Sequence, residues 1–263
     1  MAADAPLVRI DRHEGWAEVV LNRPERRNAV TADMWRALSG AALELDADPQ
    51  VRVVVLRGEG EQAFVSGADI SQFEAERTGR NAFAYNTEND VAFDALAATG
   101  KPVIAAIHGF CIGGGCAIAL QADLRYCADD AVFAIPAARL GLGYAAKGLA
   151  TLERIVGLPR AKELFLTARR FDAREALAMG LVNRVLPKAG LDAFVADVVG
   201  QIADNAPLTL RAAKRAFADA GRPESRRDPE GVDAAIRACF ESEDYAEGVR
   251  AFMEKRRPAF QGR

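Results

Sequence analysis

Apolar residues along the chain follow two rhythms. Leu7–Ile10 and Trp16–Leu21 are short apolar-rich runs separated by His13-Glu14-Gly15, which predicts a β-hairpin. Thr31 then offers an N-cap to a helix over about Ala32–Leu45, with Trp35, Leu38, Ala42 and Leu45 recurring on one face. Val51–Leu56 is apolar except for Arg52 and lies between Pro49 and Gly58, the pattern of a strand buried on both faces. Pro102–Ile107 is a second such run and leads through His108-Gly109 into a glycine cluster that opens a helix. Between these runs, about Phe73–Thr99 reads as polar and mostly helical, while Leu124–Cys127 and Val132–Ile135 read as further strands. After Pro136 the rhythm changes. Helical spacing dominates from about Leu149, broken at Gly157-Leu158-Pro159, at Gly180 and at Pro187, and Gly221–Glu230 reads as an exposed loop. No motif recurs at a period of 20–50 residues, so a repeat solenoid is not supported. The expected fold class is α/β, with a core over residues 1–187 and a helical region over 188–263.

Composition narrows the partners. The chain has 263 residues, half of them hydrophobic (50%), and a formal net charge of −3, so nothing favours a nucleic-acid backbone as ligand. No run of about 18 apolar residues is present to span a bilayer. The start of the chain shows no basic segment followed by an apolar one, so a cytoplasmic protein is expected. Cys111, Cys116, Cys127 and Cys239 have no zinc-ligand spacing, and with only two histidines, His13 and His108, no metal site is expected. The cysteines read as buried thiols of a reducing compartment.

Two segments can carry chemistry. His108-Gly109-Phe110-Cys111-Ile112-Gly113-Gly114-Gly115-Cys116-Ala117 runs from a buried strand through three glycines into an apolar helix. Amides at a helix start point outward, and glycine lets a ligand approach them closely; a tight packing turn is the simpler alternative. The segment lacks the lysine of a nucleotide-phosphate loop. Ala63-Phe64-Val65-Ser66-Gly67-Ala68-Asp69-Ile70 lies at the carboxyl end of another buried strand, where ligands of α/β folds gather. By itself, however, this segment favours Asp69 as a helix cap and Gly67 as a turn residue.

Together with Leu21-Asn22-Arg23-Pro24-Glu25-Arg26-Arg27-Asn28-Ala29, Pro102-Val103-Ile104-Ala105-Ala106, Ala176-Leu177-Ala178-Met179-Gly180-Leu181-Val182-Asn183 and Glu254-Lys255-Arg256-Arg257-Pro258-Ala259-Phe260, these segments resemble the enoyl-CoA hydratase/isomerase (crotonase) superfamily over nearly the whole chain. The resemblance implies a spiral of ββα units followed by a helical trimerisation region, with a homotrimer or dimer of trimers. It implies an acyl-CoA substrate, with coenzyme A carried by that substrate and no further cofactor. The oxyanion hole would be the backbone N–H groups of Ala68 and Gly114. Coenzyme A contacts would map to Arg26 near the phosphates and to Ser66, Ala68 and Ile70, with Asp69 in the same segment. Lys255 and Phe260 would help from a neighbouring subunit.

The sequence departs from the family's hydratases at two places. Ala117 and Ala137 stand where those enzymes carry the two glutamates that hold and activate water, and alanine transfers no proton. Leu140-Gly141-Leu142-Gly143-Tyr144 and Ser242-Glu243-Asp244-Tyr245-Ala246-Glu247-Gly248 resemble methylmalonyl-CoA decarboxylases of the family, in which a tyrosine at the place of Tyr144 faces the substrate carboxylate. Those enzymes have histidine where Ala68 stands. The expected activity is therefore enolate chemistry on a small carboxyacyl-CoA, leaning to decarboxylation. The alternatives are a hydratase using another carboxylate (Glu74, Glu76, Glu88, Asp90 or Asp94) and an acyl-CoA-binding homologue whose chemistry has lapsed. Arg139 and Lys147 are candidates for a second substrate carboxylate, and His108 for a structural hydrogen bond.

Overall fold

The computed structural model describes residues 5–72 and 81–263. The predicted hairpin forms as β1 (Val8–His13) and β2 (Trp16–Leu21), paired antiparallel. It is followed by the Ala32–Ala47 helix, whose first turn is capped by Thr31 Oγ1 accepting from Met34 N at 3.3 Å. Three strand pairs come next: β3 (Val53–Gly58) with β4 (Ala63–Val65), β5 (Val103–Ile107) with β6 (Phe110–Ile112), and β7 (Leu124–Ala128) with β8 (Val132–Ala134). The first strand of each pair joins one sheet and the second joins another. With β9 (Phe171–Asp172) and β10 (Arg184–Leu186), the orders are β1-β2-β3-β5-β7-β10 and β4-β6-β8-β9. The pairs β3/β4 and β5/β6 lead on to the Asn81–Ala98 and Gly114–Ala119 helices, which gives the expected spiral of ββα units.

Alternation in the central strands sets up two cores. Val54, Leu56, Val103, Ala105 and Ile107 pack with Trp35, Leu38 and Phe64 on one side. Val53, Val55, Ile104 and Ala106 pack on the other side against Leu191, Val195 and Val199 of the Leu191–Ala203 helix. Both faces of β3 and β5 are therefore buried, and continuous apolar runs are what such strands require. Helices dominate after Leu149, as expected, with β9 and β10 as two short strands at the sheet edges. One expectation needs correcting. Gly221–Glu230 is not all loop, because a helix begins at Pro229, where the Asp228 side chain accepts from Gly231 N.

Candidate active site

The two segments singled out by their glycines meet at the ends of β4 and β6. Val30 forms a parallel bridge with Ala68: Val30 N donates to Gly67 O and Asp69 N donates to Val30 O, both at 2.9 Å. In a parallel bridge these bonds come from the residues flanking the central one, so the N–H of Ala68 itself turns to the opposite side. Gly114 opens the Gly114–Ala119 helix, and a first-turn amide has no carbonyl one turn back to bond. Among the described residues, neither the Ala68 N–H nor the Gly114 N–H donates to a backbone carbonyl. A methyl placed on Gly114 would stand 3.7 Å from the Ala68 nitrogen, so the two amides border one small space.

Two glycines make this approach possible. Gly113 has φ 54° and ψ −108°, a conformation that a side chain resists, and it donates to Ala134 O at 2.8 Å. A methyl on Gly115 would lie 2.4 Å from Val65 O and 2.9 Å from Val65 Cβ. Nothing larger than hydrogen lets the helix sit this close to β4.

The Asn22–Ala29 segment braces the same place. Buried Asn28 donates through Nδ2 to Ala63 O at 2.8 Å and to Glu59 O at 3.1 Å, and accepts from Arg23 N at 3.0 Å. Arg23 Nη1 donates to Ala29 O at 2.8 Å and to Asp69 Oδ2 at 2.9 Å. The other Asp69 oxygen accepts from the Ser71 amide and hydroxyl at 3.1 and 2.7 Å. The Ser71 bonds, followed by the Arg23 guanidinium, hold the Asp69 carboxyl below the usual carboxylate range against the opposing pull of burial. Both Asp69 oxygens are thus engaged inside the protein.

A cleft of about 1160 Å³, counting its open mouth, runs past the two amides. Ser66, Ala68, Ile70, Gly114 and Tyr144 all line it, as do Ala117 and Ala137. Tyr144 packs edge-on to Phe165, with ring centroids 5.2 Å apart. Arg26, Asp69, Lys255 and Phe260 are not among its lining residues. Arg26 stands next to it, since Ser66 Oγ donates to Arg26 O at 3.3 Å. Lys255 is exposed, and Phe260 belongs to an apolar hollow beside Leu208, Gly248 and Val249.

The other candidate carboxylates separate clearly. Asp90 lines the cleft, Glu88 pairs with Arg36 at 3.1 Å, and exposed Asp94 pairs with Lys147. Glu74 and Glu76 lie outside the described residues. Lys147 lines the cleft and Arg139 does not. His108 is buried and shares a 3.0 Å hydrogen bond through Nε2 with Asp192, the structural role expected of it. Cys111, Cys116 and Cys127 are buried free thiols, and burial pushes Cys127 up to about 12. Asn86, Asn89 and Phe93 also line the cleft, although sequence reasoning assigned them no part; their i, i+3, i+7 spacing was the available signal.

The model for enoyl-CoA hydratase/isomerase matches residues 11–263 of this chain. The chain belongs to the enoyl-CoA hydratase/isomerase family. It is 35% identical over 243 residues to the short-chain-enoyl-CoA hydratase of Clostridium acetobutylicum, covering 92% of each chain. It is 36% identical over 265 residues to the carnitinyl-CoA dehydratase of Citrobacter koseri, covering 96% of this chain and 97% of the other. Its fold superposes with a TM-score of 0.93 and 38% identity on a crystal structure described as an enoyl-CoA hydratase/carnithine racemase from Magnetospirillum magneticum, covering 99% of this chain and 97% of that one. The chain is therefore an acyl-CoA-processing enzyme of this family. These relatives are named for hydration, dehydration and racemisation, and none of the three for decarboxylation.

Proposed function

We propose that the cleft binds a small acyl-CoA with its thioester oxygen between the N–H groups of Ala68 and Gly114, and that it performs enolate chemistry without the hydratases' paired carboxylates. The observation that carries this reading is that Ala117 and Ala137 line the cleft together with both amides. The oxyanion donors are main-chain and do not depend on the side chains at 117 and 137, whereas the water-activating groups are absent from those two places. Preorganised donors of this kind are worth about a hundredfold or more each in rate.

Decarboxylation of a small carboxyacyl-CoA is the reaction that needs least beyond this arrangement. The bond from C2 to the carboxylate breaks, its electron pair moves into the enolate and onto the thioester oxygen, carbon dioxide leaves, and C2 takes a proton from water. Tyr144, on the cleft wall, is the group to orient the departing carboxylate. Coenzyme A arrives on the substrate, with Arg26 at the phosphates and Ser66 and Ile70 along the chain, and no further cofactor takes part. Asp69 serves this binding segment indirectly, by holding it to Arg23. Lys255 and Phe260 act from a neighbouring subunit of a trimer or dimer of trimers, in the cytoplasm. Neither nucleic acid nor membrane is a partner.

The names of the relatives favour a second reading, hydration or dehydration through Asp90, the described carboxylate on the cleft wall. One assay pair separates the two. Methylmalonyl-CoA turnover that falls in Tyr144→Phe, with crotonyl-CoA hydration near background, supports decarboxylation. Brisk crotonyl-CoA hydration abolished in Asp90→Asn supports the second reading. Absence of turnover on any acyl-CoA would leave a binding protein whose chemistry has lapsed.

A further inference from the structure

Two helical segments wall the cleft that runs past the Ala68 and Gly114 amides. The Asn81–Ala98 helix supplies Asp90 and Phe93, and the segment entering the Ala146–Val156 helix supplies Tyr144, Lys147 and Gly148. A methyl on Gly148, the residue after Lys147, would lie 2.8 Å from Tyr144 Cε1, so the tyrosine ring rests on the turn that carries Lys147. Among the described residues, Asp90 and Lys147 are the charged side chains on the cleft wall.

Lys147 pairs with neither a neighbour on its own helix nor Asp90. Its ammonium crosses to Asp94, one turn beyond Asp90 and outside the cleft lining. Both side chains of this pair are more than half exposed, at 54% and 61%, and an ion pair so open to water is weakly held. Packing fixes where the pair stands. A methyl on Gly114 would lie 3.3 Å from Trp35 Cζ2, the Trp35 ring meets Phe93 edge-on with centroids 5.3 Å apart, and Asp94 follows Phe93 in the helix. Trp35 and Phe93 both line the cleft, so two aromatic rings separate the Gly114 amide from the ion pair. An acyl group with its thioester oxygen on the amides would keep C2 beside the first ring and bring the far end of a short chain to the second.

We propose that Lys147 is a specificity residue: its ammonium leaves Asp94 to hold a carboxylate at the far end of the acyl chain, so that the cleft selects short acyl-CoAs ending in a free carboxylate over neutral ones of equal length. Asp94 supplies the counter-charge until such a ligand binds. The exchange favours the ligand, because a bound chain excludes water from its own contact with the ammonium and strengthens it, while Asp94 returns to solvent that it already mostly faces. Asp90 makes the ammonium necessary. Its carboxylate shares the cleft and repels an anion, so without Lys147 the cleft would disfavour the ligands that it selects with it. The inference rests on the reading of this cleft as the acyl-CoA site and holds whichever bond at C2 reacts.

The test is calorimetric affinity of the full-length protein for glutaryl-CoA and valeryl-CoA, whose acyl chains match in length and differ at the end. The wild type is expected to bind glutaryl-CoA about tenfold more tightly, the scale of one charge-assisted contact in a partly covered site. Lys147→Met keeps the length of the side chain and removes its charge, and should bring the ratio to one or below because Asp90 remains. Asp94→Asn releases the ammonium from its partner and should raise the ratio above that of the wild type. A pair that merely tied the two walls together would make both variants act alike, so their opposite responses separate recognition from structure. Equal affinities in the wild type, a preference undiminished in Lys147→Met, or one not raised in Asp94→Asn would overturn the role of Lys147 and leave the acyl-CoA reading intact. Failure of both thioesters to bind would overturn that reading and this inference with it.

Discussion

The close approach of the Gly114–Ala119 helix to β4 can be tested by one methyl group. In Gly115→Ala the new Cβ would lie 2.4 Å from Val65 O, 2.9 Å from Val65 Cβ and 3.2 Å from Val65 C. Ordinary contact needs about 3.5 Å, so helix and strand must part by about 1 Å. β4 is not free to yield, because Ala63 and Val65 pair with β6 and Ala63 O accepts from Asn28. Overpacking of this kind costs about 1–3 kcal/mol. In a domain of this size each kcal/mol lowers Tm by roughly 2–4 °C. The larger effect should be on the oxyanion hole, because Val65 is three residues before Ala68 and Gly115 directly follows Gly114. A displacement of about 1 Å at a catalytic centre typically costs on the order of a hundredfold. The assay is the infrared C=O stretch of a carbon-13-labelled acyl-CoA bound to the protein, which reports polarisation of the thioester without requiring turnover. The wild type should shift this band to lower frequency, and Gly115→Ala should lose most of the shift. Gly40→Ala is the control: Gly40 is exposed within the Ala32–Ala47 helix, nothing would lie within 4 Å of its methyl, and the variant should gain up to about 1 kcal/mol. A Gly115→Ala protein with unchanged Tm and unchanged band shift would refute the account of why glycine stands there.

Four further outcomes follow from residues outside the hole. Asp69→Ala should cost about 1–3 kcal/mol in urea denaturation by stranding Arg23, a loss expected of a charged hydrogen bond with both side chains mostly covered; an effect on ligand affinity with no loss of stability would return Asp69 to the binding surface. Glu247 is held at about 2 by Arg256 first, then by Arg250 and the Ala259 amide, against an unperturbed value of 4.5. Its contribution is therefore complete above about 4.5 and is lost as pH falls toward 2, so the stability difference between wild type and Glu247→Gln should shrink across that window. The same variant should be cut faster by trypsin after Arg256 at neutral pH. Sedimentation should show trimers or a dimer of trimers, with Phe252→Glu dissociating them, because Phe217, Phe240, Phe252 and Met253 lie 62–82% exposed on the last three helices; a stable wild-type monomer at micromolar concentration would end that expectation.

Most elements, and the family, were legible in the residues alone. Alternation and continuous apolar runs marked β2, β3 and β5, because a strand buried on both faces leaves no room for polar side chains. Thr31 announced its helix because an N-cap bonds locally. The absence of the hydratase glutamates was equally legible, since Ala117 and Ala137 are read at fixed places in motifs. What spacing could not reveal was which surface each face would meet. The apolar face of the Leu191–Ala203 helix meets its own chain, where Leu191, Val195 and Val199 cover the second face of β3 and β5. Among the described residues, the three most exposed large apolar side chains, Phe252, Phe217 and Met253, stand on the helices after it. β9 and β10, at two and three residues, are too short to show a period and exist because sheet edges supply their partners. Asp69 sits in the binding motif, but its carboxylate is turned to Arg23 and Ser71 by contacts distant or irregular in sequence. The polar stripe of Asn86, Asn89 and Asp90 could be counted on a helical wheel, but only tertiary packing decided that it lines a cleft rather than water. Local chemistry fixes an element and its faces; long-range pairing of strands fixes what those faces see.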